Sequence, residues 1–443
     1  MKLIETIKNI WKIEDLRKRL ITTFLFILIY RFGCHVVLPG INPSDLEAMR
    51  KFTSGGLMQL LDMFSGGAFG QASIFALGIM PYITASIVIQ LLGMVMPSFQ
   101  KMQREGESGR MKLNQYTRYL TVLILLVQAP AYLINLRVQV MSAGGQVEMG
   151  PWTMLFLTIV LTAGAMFIMW LGEKITDKGI GNGISMIILV GIIARLPGAF
   201  IQEFVGRLTN AQGGLIMFLV EVIVLFAITA GAVMLTQGTR KVPVQYAKRI
   251  VGNKQYGGAR QYIPLKVNAA NVMPIIFAQA LIFIPITLAG FGAQKSGFLG
   301  GVARVFGDMN GFWYNLVYFL LIVAFTYFYT AITVRPTQMA EEMKKNSGFI
   351  PGIKPGKKTA EYLDSIMSRI TLPGSIFLGI VAILPAFARL FGVNQNFAQF
   401  FGGTSLLITV GVVLDTLQQI ETHLRMHHYD GLMKSGKIKG RAS

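Results

Sequence analysis

MFSGGAFGQASIFALGIMPYITASIVIQLL, residues 63–92, is the stretch that decides how the rest of the chain is read. It carries no charge. Its first half is weakly apolar, glycine-flanked and too short to cross a bilayer, which takes about 20 apolar residues. Its second half is long enough, and reads as a helix broken near its start by Pro81. At membrane depth, a short element feeding a full helix is tolerated only where its backbone is buried in protein or lines a cavity. The stretch therefore points to something in the middle of a membrane protein.

Working outward, the 443 residues are 53% hydrophobic and only 14% charged. A soluble chain carries about 25% charged residues. The apolar residues fall into ten runs of spanning length: 20–38, 72–96, 115–135, 152–172, 182–202, 214–236, 268–290, 312–334, 370–390 and 402–421. The amino end and every second loop carry 32 of the 41 Lys and Arg residues. The intervening loops carry 8, counting Arg195 and Arg389 at helix ends, and Arg31 sits inside the first run. Positive charge marks the cytoplasmic side, so both termini are expected there. Six Lys and Arg precede the first run and no A-x-A site follows it, so that run reads as an uncleaved anchor. The single Cys34 excludes an intrachain disulfide.

Two cytoplasmic loops, 237–267 and 335–369, carry seven Lys and Arg each. Orientation needs a few charges, not loops of about thirty residues. A basic loop with Tyr246, Tyr256 and Tyr262 interleaved suits an anionic partner such as nucleic-acid phosphate.

Catalytic patterns fail. The four histidines do not sit with carboxylates in metal-ligand spacing. GIKPGKKT at 352–359 lacks a phosphate loop's first glycine, because Pro351 stands there. GIGNG at 179–183 is followed by Ile184 where a dinucleotide fingerprint needs glycine. No nucleotide site, metal or other cofactor is expected. Arg31, Glu221 and Asp415 are ionisable groups within predicted spans. Such groups are functional candidates, but these three lie on separate helices and read as locally paired.

A series of short motifs occurs in order along the chain: LPGI at 38–41, MFSGGA at 63–68, ASIFALGIMPYITASI at 72–87, EGESGR at 105–110 and QYTRY at 115–119. WLGE at 170–173, GIGNGIS at 179–185, YAKR at 246–249, PLKVN at 264–268, PGIKPG at 351–356 and FGGTSLLI at 401–408 complete it. Together, over about residues 14–432, they resemble the SecY family (SecY/Sec61-alpha) of protein-conducting channels. The resemblance implies an all-α polytopic membrane protein of the bacterial cytoplasmic (inner) membrane. Ten transmembrane helices would form two inverted five-helix halves around a central pore, with a re-entrant plug half-helix at 60–70. The expected domains are a cytoplasmic segment 1–19, a first half 20–202 containing the plug, a second half 203–421 containing loops 237–267 and 335–369, and a cytoplasmic tail 422–443.

By the same resemblance, Ile79, Ile83, Ile184, Ile188, Ile276 and Ile408 would form an apolar pore ring. A ring of this kind seals by dewetting and yields around a passing chain. Ser65, Gly66 and Gly67 would weaken the plug helix and let it move. Thr84 and Gln90 on the second segment, with Asn268 and Gln279 on the seventh, would lie along a lateral gate. Lys248, Arg249, Lys354, Lys357 and Lys358 would dock the ribosome and the SecA motor ATPase. Lys354 stands where the family usually has arginine and cannot offer the bidentate fork. Small SecE-like and SecG-like subunits, signal sequences, secretory polypeptides and the lipid bilayer are the other implied partners. Glu221 belongs to no pattern of the family. The alternatives are a ten-span secondary transporter, which needs a charged midplane site, and a membrane-embedded enzyme, for which clustered catalytic groups are missing.

Overall fold

A computed structural model of the chain describes residues 11, 13–41, 62–142, 150–209, 214–246, 249–251, 254–256, 260–270, 272–292 and 311–434. Each of the ten apolar runs overlaps a helix among the described residues, though not always over its whole length. In chain order the helices are α1 (Glu14–Gly33), α2 (Met80–Val95), α3 (Pro97–Arg104), α4 (Glu107–Ser142), α5 (Pro151–Lys178), α6 (Gly183–Thr209) and α7 (Gly214–Gln237). They continue with α8 (Met273–Gly292), α9 (Phe312–Thr333), α10 (Pro336–Lys345), α11 (Lys357–Leu390), the short α12 (Gln395–Ala398) and α13 (Gly403–Lys434). Among the described residues, seven helical segments are long and apolar enough to cross a membrane. An eighth is added if α2 and α3 form one span bent by 103°. The bend has a cause: Pro97 opens α3, and the residue before a proline is pushed out of the helical region. Met96 is accordingly extended at φ −99°, ψ 123°. The chain is a multi-pass membrane protein.

The run expected at 72–96 begins as a helix only at Met80. Pro81 opens α2 instead of breaking it. Proline suits the first turn, where its missing N–H is not needed. The plug likewise departs from a half-helix. Its described part is helical over 62–64 and then runs in turns to residue 79, while positions 60 and 61 lie outside the described residues. Gly66, Gly67 and Gly78 take positive φ there, as does Ala72 at 45°. An irregular backbone needs other partners for its amides. A bridge between Val37 and Ser73 supplies some of them, with Leu38 N–H donating to Ala72 O and Ile74 N–H to Val36 O, both at 2.9 Å.

The described chain divides into two compact units, 1–201 with 412–443, and 202–411. In the first, α4 and α5 pack on the irregular segment. Tyr132, Leu133 and Leu136 of α4 and Leu157 and Leu161 of α5 share a core with Phe69, Ala72 and Ala76. In the second, the two long basic loops prove to be structured. Strands β1 (Thr239–Tyr246), β4 (Arg260–Lys266) and β5 (Gly348–Phe349) form one antiparallel sheet in the order β4-β1-β5. Val242 pairs with Ile263 and Gln245 with Phe349. A separate hairpin joins β2 (Arg249–Val251) to β3 (Lys254–Tyr256). Val242, Val244 and Leu265 pack against Leu363 and Met367 of α11, which begins at Lys357 instead of near 370.

Candidate functional site

The irregular segment is held by named polar contacts from three helices of its own unit. Asp62 is 4% exposed in its side chain and forms an ion pair with Arg195 of α6. Its Oδ1 also accepts the Gly70 N–H at 2.6 Å. Arg31 of α1 donates from Nη1 to Gly66 O at 2.9 Å. The Tyr30 hydroxyl donates to Ser65 O at 3.2 Å, and the Tyr132 hydroxyl to Phe69 O at 2.8 Å. Ser65 Oγ donates to Asp62 O and receives the Phe69 N–H, closing a turn. Backbone groups that a helix would satisfy internally are thus satisfied by side chains around the segment.

Glycine is required at its centre. A side chain on Gly66 would come within 2.8 Å of Arg31 Nη1 and 3.0 Å of the Gly191 backbone. A side chain on Gly191 would in turn come within 3.0 Å of Phe64 O. The segment and α6 therefore meet backbone to backbone.

The sequence-predicted residues take these places. Ile79 caps α2 and Ile83 lies one turn on, both buried. Ile184 and Ile188 open α6, the second buried. Ile276 is in the first turn of α8, and Ile408 is buried near the start of α13. Four of the six belong to the first unit and two to the second. Thr84 donates to Met80 O at 3.1 Å, and Gln90 Nε2 to Ser86 Oγ at 3.2 Å, so both have partners within α2. Asn268 and Gln279 are buried in the second unit. Lys354 is exposed in the turn between β5 and α11, with Gly352 and Gly356 at positive φ on either side. Lys357 and Lys358 are exposed in the first turn of α11. Cations there oppose the helix dipole, so helix stability does not account for them. Lys248 and the side chain of Arg249 lie outside the described residues.

Several residues of this arrangement were not predicted. Arg195 lies inside α6, not at a helix end. Asp62 lies inside the stretch 60–70 expected as the plug, but the sequence assigns it no role there. A lone aspartate before an apolar stretch and a lone arginine within an apolar run are the available signal.

A SecY family profile matches residues 73–417. The chain belongs to the SecY family. A SecY protein translocase subunit from Streptomyces galbus is 44% identical, covering 96% of this chain and 98% of the relative. One from Mycobacterium tuberculosis is 42% identical, covering 95% and 97%. Among solved structures, a protein-conducting channel matches with TM-score 0.65 at 20% identity, and Sec61 from a canine ribosome–channel complex with 0.61 at 19%. Each structure covers 92% of this chain and is itself covered to 92%. At such identities the likeness is one of SecY fold.

Proposed function

We propose that this chain is the central, pore-forming subunit of a protein-conducting channel. It passes unfolded secretory polypeptides across the membrane and releases apolar segments sideways into lipid. The observation that carries this reading is the near full-length identity to protein translocase subunits. The buried irregular segment 62–79 supports it, because a channel for polypeptides needs a displaceable occupant. The Asp62–Arg195 pair and the Arg31–Gly66 contact hold that occupant by few, specific bonds.

In this reading the halves 20–202 and 203–421 are inverted copies, and segment 60–70 is the plug. Ile79, Ile83, Ile184, Ile188, Ile276 and Ile408 line the constriction. Thr84, Gln90, Asn268 and Gln279 flank the seam through which a signal sequence leaves. The sheet β4-β1-β5 with Lys354, Lys357 and Lys358 is the cytoplasmic docking face for the ribosome and a SecA-type motor, joined by Lys248 and Arg249. The solved Sec61 relative bound in a ribosome–channel complex supports the ribosome as a partner. Small SecE-like and SecG-like subunits complete the assembly in the bacterial inner membrane, with both termini cytoplasmic. The chain itself is not an enzyme, so the motor or ribosome supplies the energy. The secondary-transporter alternative draws no support from the relatives.

Planar bilayers test the proposal. The resting complex conducts no ions, and a precursor stalled in transit opens a steady current. A stalled precursor that leaves the membrane silent, with export intact, would place the pore elsewhere.

A further inference from the structure

In the motif PLKVN, 264–268, Val267 occupies a constrained place in the second unit, directly before the asparagine proposed for the gate. The chain leaves α7 at Gln237, passes Gly238 and enters β1 at Thr239, which pairs with Lys266 at the end of β4. Val267 follows, and its N–H donates to Gly238 O at 2.9 Å. Asn268, Ala269 and Ala270 continue as a turn toward α8, which begins at Met273. Strands β1 and β4 therefore run almost directly into α7 and α8.

The half-buried side chain of Val267 stands between two glycines. A Cβ on Gly238 would come within 3.3 Å of Val267 Cγ2. One on Gly374 of α11 would come within 3.3 Å of Val267 Cγ1 and 3.2 Å of Val267 O. One methyl thus faces the end of α7 and the other faces α11, on a side chain that is stiff about χ1. The same residues connect to the exposed basic turn. Ile353, directly before Lys354, and Ala269, two residues after Val267, pack against one core of Val242, Val244 and Leu265 with Leu363 and Met367 of α11. A close-packed interior transmits displacement instead of absorbing it. A load on the turn at Lys354 is carried through this core to residues 267–269, from which α8 begins.

We propose that Val267 is a positioning residue for transport, which fixes α8 to the basic sheet so that a partner seated at Lys354 moves this helix with the sheet. This rests on the docking and gate roles given above. Without the fork of two methyls the sheet and α8 keep their folds, but the junction gains slack and the partner's push is lost in it. Binding of the partner, at the other end of the core, is untouched.

The test separates docking from transport, in proteoliposomes holding the assembled complex, with motor, ATP and a secretory precursor. Val267→Ala is expected to bind the motor with the parent's affinity and to lower the maximal rate of precursor protection roughly 2–30-fold. Val267→Thr has valine's shape but a hydroxyl that a core disfavours, and is expected to transport like the parent. Gly374→Ala displaces Val267 instead of trimming it. It is expected to lower the maximal rate with affinity unchanged, so the comparison stands even where Val267→Ala fails to insert. Parent-like transport by either alanine variant overturns the proposal. So does a loss of motor affinity that matches the loss of rate, which would make Val267 a support of the docking face. A Thr variant as impaired as Val267→Ala overturns it too, and reduces Val267 to core packing. Failure of the docking reading shows elsewhere, as motor binding unaffected by Lys354→Glu.

Discussion

Asp62 and Arg195 are the residues on which rest and opening are expected to turn. Replacing Asp62 by Asn keeps an acceptor for the Gly70 amide but removes the charge opposite Arg195. Losing a charged hydrogen bond at a buried site costs on the order of 1–3 kcal/mol, and each 1.4 kcal/mol is about tenfold in population. Asp62→Asn is expected to raise spontaneous channel openings roughly 5–100-fold in planar bilayers. Exchanging the pair, Asp62→Arg with Arg195→Asp, is expected to restore much of the seal. Equal leak in the parent and in Asp62→Asn would remove this pair from the latch. The isoleucines make a second prediction at this scale. Changing Ile83, Ile188 and Ile408 together to Ser wets an apolar constriction, whereas changing them to Val keeps it dry. The Ser triple variant is expected to conduct at rest and the Val variant to stay silent. Silence in both, with export intact, would make these side chains ordinary packing.

At the scale of elements, the apolar runs were legible and the irregular parts were not. Hydropathy places the starts of α5, α6 and α7 within a residue, because a membrane helix must be apolar over its whole length, whereas α4 extends beyond its run 115–135 to Glu107 and Ser142. It misplaces the start of α2, since the apolar residues from Ala72 to Ile79 serve a buried turn as readily as a helix. The sheet was hidden by charge. Loops 237–267 and 335–369 read as basic docking loops without strands, although Val242 and Val244 alternate with exposed neighbours in the strand pattern. The pairing of Gln245 with Phe349 joins residues from two different loops, which no local pattern reveals. One sheet supporting both loops gives Lys354 a rigid base. Lys354→Glu is expected to weaken motor binding about tenfold, measured by surface titration, and to leave the melting temperature unchanged. Charge reversal at an anion-facing contact loses an attraction and adds a repulsion. Unaltered motor binding would move the contact to another part of the sheet. Across the proposed gate, cysteine pairs joining positions 84 or 90 to 268 or 279 are expected to crosslink and to stop export. Full export by a completely crosslinked protein would exclude lateral release between α2 and α8.

For the molecule as a whole, the charge asymmetry among the loops fixes an expected orientation. Cysteines placed at 255 and 355 are expected to react with impermeant reagents only from the cytoplasmic side, and labelling from outside sealed cells would reverse the topology. In the proposed function, the segment 62–79 buried within the first unit is the displaceable occupant, in place of a charged substrate site. The most direct measurement is transport by the purified assembly in proteoliposomes, with motor and ATP supplied. A secretory precursor is expected to become protected from external protease, at a rate that falls to background without ATP. Small labelled solutes are expected to stay outside in the absence of precursor. Precursor that remains fully digestible, together with saturable uptake of a small solute, would contradict the channel account.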